Sequence, residues 1–88
     1  MIPLRIGELQ GVALHSDAVT MTFTAPKAFP PGQPLQLVLW PDTPEALALA
    51  LRAIGSKRRG DDGTFEVRAR LINLARPARE KLLEAFGV

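Results

Sequence analysis

The sequence holds few side chains that can carry out covalent chemistry. It has no cysteine and one histidine, His15, which excludes disulfides, thiolate nucleophiles and metal sites built from several histidines of one chain. His15, Ser16 and Asp17 are the three residue types of a hydrolase triad, but triad groups converge from separate segments. Asp61 and Asp62 lie between glycines, where carboxylates favour a turn. We therefore expect no catalytic residue, no metal site and no cofactor, and the protein is not expected to be an enzyme.

The positively charged side chains are the remaining candidates for binding. Lys57, Arg58 and Arg59 are consecutive, and we expect them at a hairpin tip. There they either bind phosphate groups or an acidic protein surface, or serve only as a solvated, solubilising loop. Arg68 and Arg70 alternate along a predicted strand. They can point into a ligand groove, although pairing with carboxylates on neighbouring strands is the expected role.

The distribution of charge bears on nucleic-acid binding. Residues 1–50 sum to −2 and residues 51–88 to +4, and a basic half is typical of chains that bind RNA or nucleotides. Five acids in that half dilute its positive potential. Stacking of single-stranded bases also needs exposed aromatic rings, but the chain has four phenylalanines, one tryptophan and no tyrosine, with Phe23 and Phe65 on predicted buried faces. A small RNA-binding barrel is therefore only an alternative.

Length and composition predict a single domain over residues 1–88. The chain is 47% hydrophobic and 23% charged, as in an ordinary globular domain. No apolar run approaches the roughly 18 residues of a membrane helix, and the first residues lack the pattern of a signal peptide. We expect a cytoplasmic protein without a membrane-inserted segment.

Proline and glycine cut the chain into pieces of strand length, which predicts a small all-β domain. Apolar residues at every second position predict strands over 19–24, 35–40, 45–54 and 65–71, and a first strand over 4–14 broken at Gly7 or Gly11. We expect a turn at residues 15–17 and a polar loop over 56–63. A helix is expected over about 77–86, with Pro77 at its start, Gly87 as its cap, and an apolar stripe that covers one end of a barrel.

With these strands placed, the chain resembles a PilZ domain between about residues 11 and 86. PGQPLQL at residues 31–37 is similar to the family's entry into a central strand. FEVRARLINL at 65–74 and RPARE at 76–80 are similar to its last strand and the start of its helix. The resemblance implies a mainly β fold, a six-stranded antiparallel barrel with one C-terminal helix. Bacteria use this family in cyclic di-GMP signalling.

The two nucleotide-binding motifs of that family are largely missing. Arg5 is the only arginine before Arg52, so an N-terminal R-x-x-x-R motif is absent. The D/N-x-S-x-x-G motif keeps Ser16, but Leu14 and Val19 replace its first and last residues. Some family members act in type IV pilus function or motility through protein contacts without the nucleotide. We therefore expect a non-enzymatic adaptor that binds a protein partner.

Direct cyclic di-GMP binding is the alternative. Its candidate ligand-binding residues are Arg5, Ser16, Arg58, Arg59, Arg68 and Arg70. Trp40, at a strand end, is either a core residue or an exposed partner contact. Residues 1–5 are expected to form a short arm that leaves an open sheet edge, so the protein is predicted to be a monomer or a homodimer paired through that edge.

Overall fold

The computed structural model describes residues 1–88 as one closed barrel and one helix. The elements are β1 (Ile2–Ile6), β2 (Leu9–Ser16), β3 (Thr20–Ala25), β4 (Pro34–Leu39), β5 (Leu47–Arg59), β6 (Thr64–Leu71) and α1 (Arg76–Phe86). The strands close in the order β1-β2-β3-β6-β5-β4, and all neighbours are antiparallel. The predicted mainly β fold, a six-stranded antiparallel barrel with one C-terminal helix, is confirmed.

Alternation along each strand fills the interior of the barrel. Because successive strand residues point to opposite faces, the odd-numbered leucines of β4 and β5 face inward. Phe23 of β3 and Val67 of β6 are fully buried among them. The even-numbered positions of β4, β5 and β6 that sequence patterning placed outside do face outward.

Half of the segment predicted as a polar loop over 56–63 is strand. β5 continues to Arg59, and only residues 60–63 form the turn to β6. Lys57 pairs with Glu66 and Arg59 with Thr64 in the ladder. The polar composition suggested a loop, but an exposed two-stranded ribbon tolerates polar side chains as long as its backbone groups are paired.

Residues 1–5 do not form a free arm. Residues 2–6 are β1, and a turn at Gly7, which has a φ of 59°, connects β1 to β2. This turn replaces the predicted single broken strand. β1 also pairs with β4 through Leu4↔Leu39 and Arg5↔Val38. The barrel is therefore closed, and the open edge that was expected to pair with a second copy is absent.

The helix lies where sequence patterning predicted it, beginning one residue earlier at Arg76. It ends at Phe86 and is capped by Gly87, which has a left-handed φ of 70°. The Gly87 N–H donates to the Glu84 carbonyl and the Val88 N–H to the Leu83 carbonyl, as is typical of a glycine cap. Leu82 is fully buried and joins the barrel core, and α1 packs against β2. No helix in the structure is long and apolar enough to cross a membrane.

We predict that Gly11→Ala destabilises the barrel by roughly 2 kcal/mol or more, because an added Cβ overpacks the site. A Cβ built on Gly11 in β2 would lie 1.9 Å from the Thr24 carbonyl oxygen of β3, so the strand backbone must move. The control is Gly55→Ala in β5, where a Cβ meets nothing within 4 Å. Urea unfolding of both variants is the measurement, and equal losses in the two would contradict the close approach at Gly11.

Candidate functional site

The structure brings no metal-binding cluster together. No three histidine, aspartate or glutamate side chains lie close enough to hold a metal ion. Every buried side-chain nitrogen or oxygen has a hydrogen-bond partner. The outer surface of the barrel carries the exposed arginines that the sequence offered as candidates.

Ser16 is a structural residue and does not line a ligand surface. It is fully buried, and its Oγ lies 2.8 Å from the Asp17 carbonyl oxygen and 3.1 Å from that of Thr20. The turn was predicted over residues 15–17, but His15 and Ser16 belong to β2 and the turn begins at Asp17. Asp17 Oδ1 accepts hydrogen bonds from the backbone N–H groups of Val19 at 2.7 Å and Thr20 at 2.8 Å. The bonds from Thr20 and Val19 lower the pKa of the Asp17 carboxyl.

Arg5 lies apart from the other candidate arginines. Its guanidinium donates to both carboxylate oxygens of Asp42, at 2.8 and 3.2 Å. This bidentate pair raises the pKa of Arg5 and lowers that of Asp42. In the closed strand order, two strands separate β1 from β6 in either direction around the barrel. Arg5 therefore cannot share a small-ligand site with Arg68 and Arg70.

The basic segment at the hairpin tip divides between two faces. Arg58 lies 5.7 Å from the ring centroid of Phe65, its partner across the hairpin. Lys57 and Arg59, one position away on either side, belong to the opposite face. Lys57 Nζ is 3.5 Å from the Glu66 carboxylate. Arg58 and Arg59 thus do not converge on one ligand.

Arg68 and Arg70 are both exposed on the outer face of β6, as their alternation predicted. Arg52 of β5 lies directly opposite Arg70, and we call these three residues the arginine triplet. None of the three belongs to an ion pair, so the expected pairing of Arg68 and Arg70 with carboxylates is wrong. The reason is that no acid lies opposite them: Arg68 faces Thr22 and Gly55, and Arg70 faces Thr20 and Arg52.

Sequence patterning missed Arg52 as a member of this cluster. The alternation of β5 marks it as outward-facing, but its partner depends on the register between β5 and β6. That register shifts between Ala53 and Gly55, at an irregularity of the kind that adds one residue to one strand. A count back from the hairpin turn, without this shift, pairs Arg70 with the wrong residue.

Trp40 is half-buried and contributes to the core as well as the surface. Its ring packs against the core cluster, and Lys81 Nζ of α1 lies 5.4 Å from the ring centroid. Lys81 also donates to the Glu45 carbonyl oxygen at 2.7 Å. Trp40 therefore helps to hold α1 against the loop between β4 and β5, and its outer side borders a shallow groove with Glu84 and Ala85.

An apolar area occupies part of the outer face of β4 and β5 and extends over the segment after β6 to α1. We call it the apolar patch; its members are Val38, Ala48, Ala50, Ile72, Leu74 and Ala78. Two open grooves, of about 550 and 270 Å³, meet at Ala48 and Ala50. The small alanine side chains form their shared floor, and the bulkier Val38 and Ile72 stand at the sides.

Comparisons of the chain with protein-family models, with curated proteins and with solved structures returned no match.

The bonds to Asp17 predict a pH dependence of stability. Because the folded state lowers the pKa of Asp17, its contribution is present above the ordinary value and is lost as the pH falls through the lowered one. We expect the free energy of unfolding to fall below about pH 4, and to fall less in Asp17→Asn, which keeps an acceptor without a titrating proton. The dependence will not vanish, because the pKa values of Asp42 and Asp62 are also lowered. Urea unfolding between pH 2.5 and 6 measures this, and identical pH profiles would contradict it.

The opposed arginines predict a stabilising charge reversal. Like charges directly opposite in an antiparallel pair destabilise a sheet, and opposite charges contribute roughly 0.2–1 kcal/mol. Arg70→Glu, facing Arg52, should therefore raise the free energy of unfolding by about 0.5 kcal/mol. Arg68→Glu is the matched control, because Arg68 faces Gly55 and Thr22. Urea unfolding compares the two, and a gain in the control as large as that in Arg70→Glu would contradict the cross-strand repulsion.

Proposed function

We propose that this chain is a non-enzymatic, PilZ-like adaptor module that acts through contacts with a protein partner in bacterial signalling, type IV pilus function or motility. The observation that carries the proposal is the apolar patch on β4, β5 and α1. All six of its members are apolar and at least partly exposed; Val38, Ala48, Ala50 and Ala78 lie on strands or the helix, and Ile72 and Leu74 lie in the short segment between β6 and α1.

The chemistry of the apolar patch favours a protein over a small polar ligand. The centres of protein interfaces are depleted in charge, with polar residues at the rim. Here Gln36 and Asn73 border the two grooves, and the Arg5 guanidinium lies at one end. The grooves are open and shallow, unlike the enclosed pockets that bury most of a small molecule.

The placement of the arginines favours protein contacts over direct cyclic di-GMP binding. A nucleotide site needs guanidinium groups that converge on phosphates and guanine edges. Arg5 is paired with Asp42, Ser16 is buried, and Arg58 and Arg59 diverge. Of the six candidate ligand residues, only Arg68 and Arg70 share a face without competing partners, and direct nucleotide binding is the alternative that rests on them.

Site-specific photo-crosslinking tests the apolar patch as a contact surface. Benzoylphenylalanine is placed at position 50, within the patch, and in a second protein at position 28, an exposed site outside it. We expect a discrete crosslinked protein from position 50 in the native cells and none from position 28. Adding Ala48→Glu to the position-50 protein should reduce that product about tenfold, because a charge at an interface centre must be desolvated.

Two outcomes contradict the proposal. Equal crosslinking from positions 50 and 28, or no effect of Ala48→Glu, means that the patch is not the contact surface. A parallel NMR titration of labelled protein with cyclic di-GMP addresses the alternative. Saturable amide shifts at Arg68 and Arg70 would make the nucleotide the primary ligand, and absence of shifts leaves the protein partner.

A further inference from the structure

We infer that the arginine triplet binds an acidic segment of the same partner, directly beside the apolar patch. This inference rests on the proposed function, because it names the chemistry of the partner that the patch holds. It adds Arg52, Arg68 and Arg70 as determinants of which partner is bound.

The triplet is a group of charges that the fold itself leaves unneutralised. Arg52 and Arg70 are cross-strand partners, and Arg68 is two residues from Arg70, about 7 Å along the same face. The three ion pairs of the protein, Arg5–Asp42, Lys57–Glu66 and Lys81–Glu45, include none of them. Arg52 Nη1 donates to the Gly32 carbonyl oxygen at 2.8 Å, which anchors that guanidinium and leaves its other donors available.

The triplet and the apolar patch form one continuous surface along β5. Ala48, Ala50 and Arg52 occupy successive outward positions of this strand, and Ile72 N–H donates to the Ala50 carbonyl oxygen at 2.9 Å. The change from apolar to cationic therefore takes place within one step of about 7 Å. An extended peptide has the same spacing between alternate side chains, so its carboxylates match the spacing of Arg68 and Arg70.

The surroundings of the triplet favour carboxylates of a protein over a nucleic acid. Thr20 and Thr22 of β3 lie opposite Arg70 and Arg68, and no aromatic ring stands on this outer face to stack with bases. The aliphatic side chain of Ile54, 43% exposed, lies next to the triplet in β5. An apolar patch adjoining the cations offers nothing to a phosphate backbone, but it does suit a peptide with apolar and acidic residues in succession.

The test uses fluorescence anisotropy with a defined probe, a fluorescein-labelled peptide of three leucines followed by three glutamate–serine repeats. The control peptide has glutamine in place of each glutamate. The variant is Arg68→Glu with Arg70→Glu, and its matched control is Lys27→Glu with Arg79→Glu, two exposed cations outside the triplet. Each double reversal changes the net charge of +2 to −2, so overall charge does not distinguish them.

We expect the glutamate peptide to bind the natural protein and the matched control with equal affinity. Its affinity for the triplet variant should be about tenfold lower, because several exposed ion pairs between the peptide and the triplet are lost. The affinity should fall with added salt, because exposed charges are screened. The glutamine peptide should bind all proteins as weakly as the glutamate peptide binds the triplet variant. Urea unfolding confirms that the triplet variant is folded.

Three results overturn the inference: equal affinity for the two peptides, no loss in the triplet variant, or no binding of the glutamate peptide up to about 1 mM. Tighter, triplet-dependent binding of a 12-nucleotide RNA would overturn it in favour of nucleic acid. Ala48→Glu and the Arg68→Glu, Arg70→Glu pair, each introduced separately into the position-50 crosslinking protein, separate this inference from the proposed function. If position-50 crosslinking depends on Ala48 but not on the triplet, the proposed function stands and the acidic partner does not.

Discussion

Closure of the sheet between β1 and β4 is the constraint on which the rest of the structure depends. Only two residue pairs join these strands in the ladder, Leu4↔Leu39 and Arg5↔Val38, and the Trp40 N–H extends the contact by donating to the Pro3 carbonyl oxygen at 2.9 Å. Closure removes both sheet edges and defines an inside and an outside for every strand residue. The inside is filled by side chains, and the arginine triplet and the apolar patch lie on the outer wall.

The second determinant is the length and register of the β5–β6 ribbon. β5 has 13 residues, and only its first part pairs with β4. Its last part therefore pairs with β6 alone and forms a hairpin with cations on both faces. The register shift near Gly55 decides which residues of β5 and β6 meet, and it places Arg52 against Arg70. This arrangement costs stability in the free protein, which is consistent with a surface shaped for a negatively charged partner.

The apolar patch and the arginine triplet lie on the same outer side of the barrel and adjoin along β5. The side chains of Ala48 and Ala50 are small and project little from the sheet, so that the proposed partner segment can lie close to it. The triplet begins at the next outward position of β5. Under our proposal, a surface that changes from apolar to cationic along one strand also gives the partner a direction, since the reversed segment would place its acids on the alanines.

Much of the fold was predictable from local patterns in the sequence. Alternating leucines predicted β4 and the first half of β5, and Pro77 and Gly87 predicted the limits of α1, because alternation and capping depend on neighbours in the chain. The exposure of Arg68 and Arg70 followed from the same alternation. The extension of β5 to Arg59 did not, because its residues are polar and its strand conformation comes from pairing with β6.

The sequence alone therefore determined which segments are strands with an apolar face, where the helix lies, and which of their residues face inward or outward. Tertiary structure alone decided how the strands meet: residues 2–6 as the closing strand, Ser16 as a buried residue, Arg5 paired with Asp42 across 37 positions of chain, and Arg52 opposite Arg70. These results depend on pairing register and barrel closure, which join residues far apart in sequence. A single shift of one residue in a strand exchanges its inner and outer faces, and only the packed barrel specifies the register.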